Sequence, residues 1–197
     1  MNDEFLYRDV PALGRRVFRL GFATNFGVEG VDLDWALEQD VNYVFWTPNA
    51  RLVTKSLKVA LKSDRESLIL ACGPTTGCFG GCIKRACEKL LKKLDTEYLD
   101  IFQLFWLGRT SAWTPSTIDA LVSLRESGMV RAIGVSIHDR KRAGKLAEDS
   151  PLDMLMIRYN ATHPGAEIDI FPHLAKRKPA IVAYTATRWR GLLKRSK

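Results

Sequence analysis

Four cysteines lie within one short segment of the chain, at Cys72, Cys78, Cys82 and Cys87. Clustered thiols can bind zinc or an iron–sulfur cluster, or form disulfides in an oxidising compartment. The intervening stretches are five, three and four residues long, and none matches the two-residue spacing typical of zinc and ferredoxin sites. We therefore expect four reduced thiols and no bound metal, and keep a redox or metal role of this cluster as an alternative.

A glycine-rich segment, Gly73–Cys82 (GPTTGCFGGC), overlaps the cysteine cluster and precedes a helical pattern. Backbone amides in such a segment can bind phosphate at the start of a helix. The segment lacks the Gly-Lys-Ser/Thr ending of a P-loop. An anion site and a flexible lid both remain open interpretations.

Three further residues could do chemistry at the ends of predicted strands. His138 and His163 together could perform acid–base catalysis, although a lone loop histidine is often only solvated. Arg158 ends a strand, and alternate residues of a strand share a face, so it points inward if the residue two positions earlier does. An inward arginine binds an anion or pairs with a carboxylate, for which Asp153 and Asp169 are the candidates.

The composition excludes several classes of protein. Hydrophobic residues make up 46% of the 197 residues, which allows a large core. The net charge of +8 is spread over helical stretches such as Lys84–Lys93 and a basic tail, Arg188–Lys197, rather than gathered in a nucleic-acid patch. No signal peptide and no apolar run of about 18 residues is present, so we expect a cytoplasmic protein with no nucleic-acid or membrane partner.

Seven apolar runs alternate with amphipathic stretches, which predicts parallel strands joined by helices. The runs are Phe18–Ala23, Val41–Thr47, Ser67–Cys72, Tyr98–Trp106, Val130–Ile137, Leu152–Tyr159 and Ala180–Thr185. The helical patterns are Leu33–Gln39, Leu52–Lys62, Cys82–Leu94, Ile118–Ser127, Arg140–Ala147 and Ile170–Lys176. No glycine fingerprint of a dinucleotide-binding sheet follows the first run, and the even spacing favours a closed barrel.

Several segments resemble the aldo-keto reductase superfamily. Ile83–Asp100 is similar to that family's helix and loop before the fourth strand, and Leu124–Ser136 (LRESGMVRAIGVS) to its signature. Leu20–Thr24 resembles the first strand, Tyr7–Gly21 the hairpin that closes the barrel bottom, and Ala183–Leu193 the seventh strand and its loop. The resemblance implies one α/β domain over residues 1–197, a (β/α)₈ barrel, and an NAD(P)(H)-linked oxidoreductase.

The resemblance also implies a catalytic tetrad of Asp, Tyr, Lys and His at the strand ends. By count, the corresponding residues here are Trp46, Arg51, Gly73 and Phe105. A developing alkoxide needs a proton donor, which none of the four supplies at neutral pH. We expect standard carbonyl reduction to be lost, as in a pseudoenzyme; substitutes for the tetrad would be Arg158, His163 and His138.

Some cofactor positions of the family are kept. The residues that the resemblance assigns to NADP or NAD are Thr24, Ser136, Tyr184 and Thr185. Ile137 and Met156 stand where the family has a carboxamide-binding Asn and a Gln. We therefore expect weakened cofactor binding, with a small-molecule ligand at the carboxyl ends of the strands.

The sequence ends soon after the predicted seventh strand, so the expected barrel is incomplete at its carboxyl end. A longer parent sequence, completion by another chain and a naturally shortened protein all stay open. Two unpaired sheet edges would favour an oligomer. A barrel without catalytic activity, serving ligand binding or protein contact, is the alternative function.

Overall fold

The computed structural model of the chain describes residues 3–75, 78, 80–188 and 190–194. Parts of the glycine-rich segment (76, 77 and 79) and of the basic tail (189 and 195–197) lie outside the described residues. The strands are β1 (Tyr7–Val10), β2 (Arg15–Phe18), β3 (Phe22–Ala23), β4 (Tyr43–Trp46), β5 (Ile69–Cys72), β6 (Leu99–Leu104), β7 (Val130–Ile137), β8 (Met154–Arg158) and β9 (Ala180–Tyr184). The α-helices are α1 (Asp3–Leu6), α2 (Gly30–Glu38), α3 (Arg51–Ser63), α4 (Cys82–Leu94), α5 (Pro115–Glu126), α6 (Arg140–Asp149) and α7 (Ala166–Asp169).

The main sheet has seven parallel strands in the order β3 to β9, each paired with its neighbour in the sequence. This is the strand order of an incomplete (β/α)₈ barrel, so the predicted fold is confirmed. The strands β3 and β9 are its two edges in the described part of the chain. Edge strands present unpaired backbone groups. None of the described helices is long and apolar enough to cross a lipid bilayer.

Side chains alternate between two hydrophobic clusters on the two faces of the curled sheet. The inner cluster fills the barrel interior and includes Tyr43, Ile69, Ile101 and Met154. The outer cluster joins the sheet to the helices; its strand members include Phe102. This alternation decides which residue at each strand end faces the barrel mouth.

The antiparallel hairpin β1–β2 closes the amino-terminal end of the barrel, as predicted. Leu13, in the 3₁₀ turn between its strands, is buried in the inner cluster. The carboxylate of Asp100, in β6, is fully buried. It pairs with Arg65 at 2.8 Å and with Arg15 and Arg131 at 3.4 Å. It also accepts a hydrogen bond from the backbone N–H of Leu70. This network fastens the hairpin to the sheet.

Two predicted elements differ from the structure. The helix expected over Ile170–Lys176 is wrong: the segment forms only a 3₁₀ turn, Phe171–Leu174, after the one-turn α7. Pro172 lacks a backbone N–H and favours such a break. The run Phe18–Ala23 also does not form one strand, since Phe18 ends β2 and only Phe22 and Ala23 pair with β4.

Candidate functional site

The carboxyl ends of β4, β5 and β6 present apolar groups to the barrel mouth. Phe45 packs with the inner cluster, and its ring meets the ring of Phe105 edge to face, with centroids 5.5 Å apart. Between them, Gly73 follows β5 with its backbone against that of Gln103. This half of the mouth, formed by Phe45, Gly73 and Phe105, is called the apolar half below.

Trp46 does not face the mouth, and the prediction that it does is wrong. Its side chain is fully buried in the outer cluster, and its indole N–H donates to Thr54 Oγ1 of α3 at 3.1 Å. A slip of one residue in a strand moves a side chain to the opposite face. Phe45, which faces inward, therefore takes the position of the family's Asp. The family's Tyr position lies five residues further on, so it moves from Arg51 to Ala50. Arg51 itself is the exposed first residue of α3.

Polar side chains occupy the opposite half of the mouth, at the ends of β7, β8 and β9. The Tyr184 hydroxyl lies 3.0 Å from Nδ1 and 3.1 Å from Nε2 of His138. Trp106 also lies near the imidazole of His138, with ring centroids 6.2 Å apart. Burial raises the pKa of Tyr184, and the nearby Arg158 opposes this rise. This polar half contains Ser136, His138, Arg158, Tyr184 and Thr185.

Arg158 brings a positive charge to the polar half, with no ion-pair partner among the described residues. It follows Met156, which belongs to the inner cluster, by two residues. The two candidate carboxylates pair with other arginines: Asp153 with Arg125 at 2.7 Å and Asp169 with Arg140 at 2.7 Å. Partial burial lowers the pKa of His138, and the positive charges of Arg158 and then Arg109 lower it further. The site therefore favours a neutral imidazole beside two guanidinium groups.

Two of the residues assigned to the cofactor already form hydrogen bonds within the protein. Thr24 is buried and its hydroxyl accepts from the backbone N–H of Thr47 at 3.2 Å. Ser136 is buried and its hydroxyl accepts from the N–H of Trp106 at 2.9 Å, which leaves its own proton to donate. These two hydroxyls also join neighbouring strand ends, so they have a structural role.

Two buried polar atoms at the edge strands have no hydrogen-bond partner among the described residues. One is Thr185 Oγ1, after β9, and the other is Asn25 Oδ1, after β3. Thr185 also has a φ of 56°, which strains a β-branched residue. Asn160 Nδ2 holds this conformation by donating to the Thr185 carbonyl at 2.9 Å. An unpaired buried hydroxyl is costly unless a ligand supplies a partner.

His163 lies apart from His138 in the described structure. Its Nδ1 is 3.1 Å from Asn160 Oδ1 and 3.0 Å from Thr162 Oγ1, within the turn after β8. No hydrogen bond joins the two imidazoles in the described part of the chain. The predicted pair of histidines is therefore not assembled as one acid–base unit.

Gln103 was missed at the level of sequence. It is fully buried in the barrel interior, and its Nε2 lies 3.3 Å from Met156 Sδ. Its Oε1 has no partner among the described atoms. The available signal was one amide within the otherwise apolar stretch Ile101–Leu107.

The cysteines fall into two groups. Cys72 and Cys87 are fully buried. The Sγ atoms of Cys78 and of Cys82, the first residue of α4, lie 3.1 Å apart. Among the described residues, no three His, Cys, Asp or Glu side chains are grouped as a metal site would need.

Comparison with known proteins gives one consistent result. The family model described as "Aldo/keto reductase family" matches residues 47–197. Protein tas of Escherichia coli is 28% identical over 177 residues, covering 66% of this chain and 51% of that protein. Methylglyoxal reductase YeaE of Escherichia coli is 29% identical over 112 residues, covering 55% of this chain and 39% of that one. The chain thus spans about half the length of these curated relatives or less.

Solved structures show the same fold. The aldo-keto reductase AKR11C1 from Bacillus halodurans, in its holo form, superposes with a TM-score of 0.79 at 23% identity, covering 97% of this chain and 69% of that one. An aldo/keto reductase from Klebsiella pneumoniae, in complex with NADP and acetate, gives 0.76 at 21% identity, covering 92% of this chain and 68% of that one. At these identities the likeness establishes the fold alone.

Proposed function

We infer that this chain, which belongs to the aldo/keto reductase family, binds a nicotinamide dinucleotide at the polar half of its barrel mouth without the family's tetrad chemistry. The observation that carries this proposal is the division of the mouth. The strand ends β4 to β6 carry Phe45, Gly73 and Phe105, while β7 to β9 carry polar residues.

The apolar half supports the loss of standard carbonyl reduction. When bound, the dinucleotide supplies a hydride, and the alkoxide that forms on a carbonyl must receive a proton from a nearby group. Neither phenyl ring can donate one, and position 73 has no side chain. The same rings would exclude water and pack against an apolar ligand. We therefore propose that turnover of simple aldehydes is absent or very slow.

The polar half supports cofactor binding. Thr185 offers an unpaired buried hydroxyl for a phosphate oxygen, and the Tyr184 ring offers a face for the nicotinamide. Ser136 keeps one proton to donate to the carboxamide. With Ile137 in place of an Asn, at least one hydrogen bond is missing, which costs about 0.5–1.5 kcal/mol. Binding should therefore be weak.

Two arginines near His138 define the ligand further. Arg158 and Arg109 both lie close enough to His138 to lower its pKa. Arg109 also lines an open depression of about 400 Å³ together with Arg142 and Trp113. A small-molecule ligand with a carboxylate or phosphate group matches this charge.

The test is a titration of NADPH and of NADH against the purified chain, followed by quenching of tryptophan fluorescence. Trp106 is 51% exposed beside His138 and is placed to report binding. Tyr184→Ala should weaken binding by about 1–3 kcal/mol, the usual worth of an aromatic stacking contact. The control is Tyr7→Ala, on the hairpin at the opposite end of the barrel, which should leave affinity unchanged.

Catalysis is assayed separately with methylglyoxal and a simple aldehyde, because the relative YeaE is named a methylglyoxal reductase. Steady turnover of either substrate would contradict the proposal that the tetrad chemistry is lost. Failure of both cofactors to bind would favour the alternative, a barrel that serves ligand binding or protein contact.

A second proposal concerns assembly. The strands β3 and β9 offer unpaired edges in the described part of the chain, and Ala23 and Ala183, one on each, are exposed. We propose that copies associate through these edges. A concentration-independent monomer in analytical ultracentrifugation would refute it.

A further inference from the structure

Cys78 and Cys82 are arranged for reaction with each other. Their Sγ atoms are 3.1 Å apart, and a disulfide bond is about 2.05 Å long. A shift of about 1 Å at side chains next to a glycine-rich segment would bring them to bonding distance. The pair therefore needs no rearrangement of the sheet.

The two thiols differ in exposure, so they have different roles. Cys82 is exposed at the first position of α4, whereas Cys78 is only 4% exposed. Burial, and then the contact with Cys82, raises the pKa of the Cys78 thiol to about 12. Cys78 thus stays protonated at neutral pH while Cys82 faces incoming reagents.

Cys82 lies beside positive charge at the start of a helix. An open depression of about 380 Å³ contains both cysteines and is lined by Arg85, Lys89 and Lys93. Positive charges and the start of a helix stabilise a thiolate, which is the nucleophilic form of cysteine. At about 1.5 Å of rise per residue, Arg85 lies about 5 Å along α4 from Cys82 and Lys93 about 16 Å, so Arg85 is the cation placed to act on the Cys82 thiol.

We propose that Cys78 and Cys82 form a reversible intramolecular disulfide when the protein meets a hydroperoxide. The Cys82 thiolate attacks one peroxide oxygen: an S–O bond forms, the O–O bond breaks, and the leaving hydroxide takes up a proton to become water. The Cys78 sulfur then attacks the Cys82 sulfur: the S–S bond forms, the S–O bond breaks, and a second water leaves with the Cys78 proton. The two sulfurs lose two electrons, which the peroxide accepts; a dithiol reductant returns them with two protons.

This pair is independent of the proposed cofactor site and lies next to the apolar half. Gly73 and Pro74 connect β5 directly to the segment that holds Cys78. A disulfide would tie that segment to the start of α4.

The experiment treats the reduced full-length chain with one equivalent of hydrogen peroxide and counts thiols after denaturation. We expect the count to fall from four to two, with loss of two hydrogen atoms from the intact mass and no dimer on a non-reducing gel. Differential alkylation and peptide mass spectrometry should place the loss at Cys78 and Cys82. Dithiothreitol should restore all four thiols.

Matched variants separate this proposal from general oxidation. Cys78→Ser and Cys82→Ser should each abolish disulfide formation, and Cys87→Ala, which removes a fully buried thiol, should leave it intact. A disulfide that persists in Cys78→Ser, a dimer linked by Cys82, or a chain that keeps four thiols would overturn the proposal. Circular dichroism of each variant confirms that it is folded.

Discussion

A Cβ atom built on Gly73 would lie 1.7 Å from the carbonyl oxygen of Gln103. Real Cβ atoms never approach a backbone oxygen so closely, so β5 and β6 can pass each other here only because position 73 is glycine. A lysine at this position, as the family resemblance implies for a reductase, has no room for its first side-chain carbon.

We predict that Gly73→Ala destabilises the chain by about 1–3 kcal/mol or more, the usual cost of overpacking, because the backbone of one strand must shift. The measurement is the free energy of unfolding in urea. Gly81→Ala is the matched control, since a Cβ there meets no atom within 4 Å and the φ of −63° suits alanine, and it should change stability by about 1 kcal/mol or less. Equal stability of the two variants would show that the strands separate freely at Gly73.

Asp100 should be essential for stability at the closed end of the barrel. Asp100→Asn removes the buried carboxylate that pairs with the guanidinium groups of Arg65, Arg15 and Arg131. Arg131 would keep its second partner, Glu66. Breaking a buried ion pair from one side costs about 3–5 kcal/mol. Urea unfolding measures this cost. The exposed pair of Asp95 with Lys62 serves as the control, since Asp95→Asn should change the free energy of unfolding little.

Replacing Trp46 by alanine should lower the stability of the chain much more than replacing Trp35. Trp46 is fully buried between sheet and helices, so Trp46→Ala should cost about 3–5 kcal/mol. Trp35 is 64% exposed on α2, and Trp35→Ala should change stability little. The measurement is the urea concentration at which half of each variant is unfolded. A small loss for Trp46→Ala would mean that its side chain does not bridge the two layers.

His138 should report the charge at the barrel mouth. Arg158→Ala removes a positive charge that disfavours the protonated imidazole, so the pKa of His138 should rise. The measurement is an NMR titration of the histidine ring protons. Arg177→Ala makes the same change in net charge on an exposed segment and should leave the His138 pKa where it is. Equal shifts in both variants would mean that Arg158 has no specific contact with the site.

The same shift predicts how stability depends on pH. Because the pKa of His138 is lower in the folded chain than its ordinary value of 6.5, the unfolded chain binds the proton first as pH falls. This contribution is fully present above pH 6.5 and is lost as pH falls from there through the folded-state pKa. The loss of stability at low pH should be smaller in Arg158→Ala. The measurement is the urea midpoint of each protein at a series of pH values from 6.5 downward. A pH dependence unchanged by the substitution would contradict the assignment.

The sequence by itself determined the order of strands and helices and the family. Continuous apolar runs such as Val130–Ile137 predict buried parallel strands, because only a strand covered on both faces is apolar throughout. Helix α4 begins and ends where its amphipathic pattern does, at Cys82 and Leu94. These features are local, so periodicity and composition are enough to find them.

Only the tertiary structure decided which side chains meet. A count along the chain placed Trp46 at the mouth, but the pleat of β4 turns it outward and Phe45 inward, since neighbouring residues of a strand face opposite sides. Asp153 and Asp169 pair with Arg125 and Arg140 rather than with Arg158. The 3.1 Å contact of Cys78 with Cys82 is likewise set by the fold around the start of α4. Such relationships follow from three-dimensional packing, which the spacing of residues along the chain does not specify.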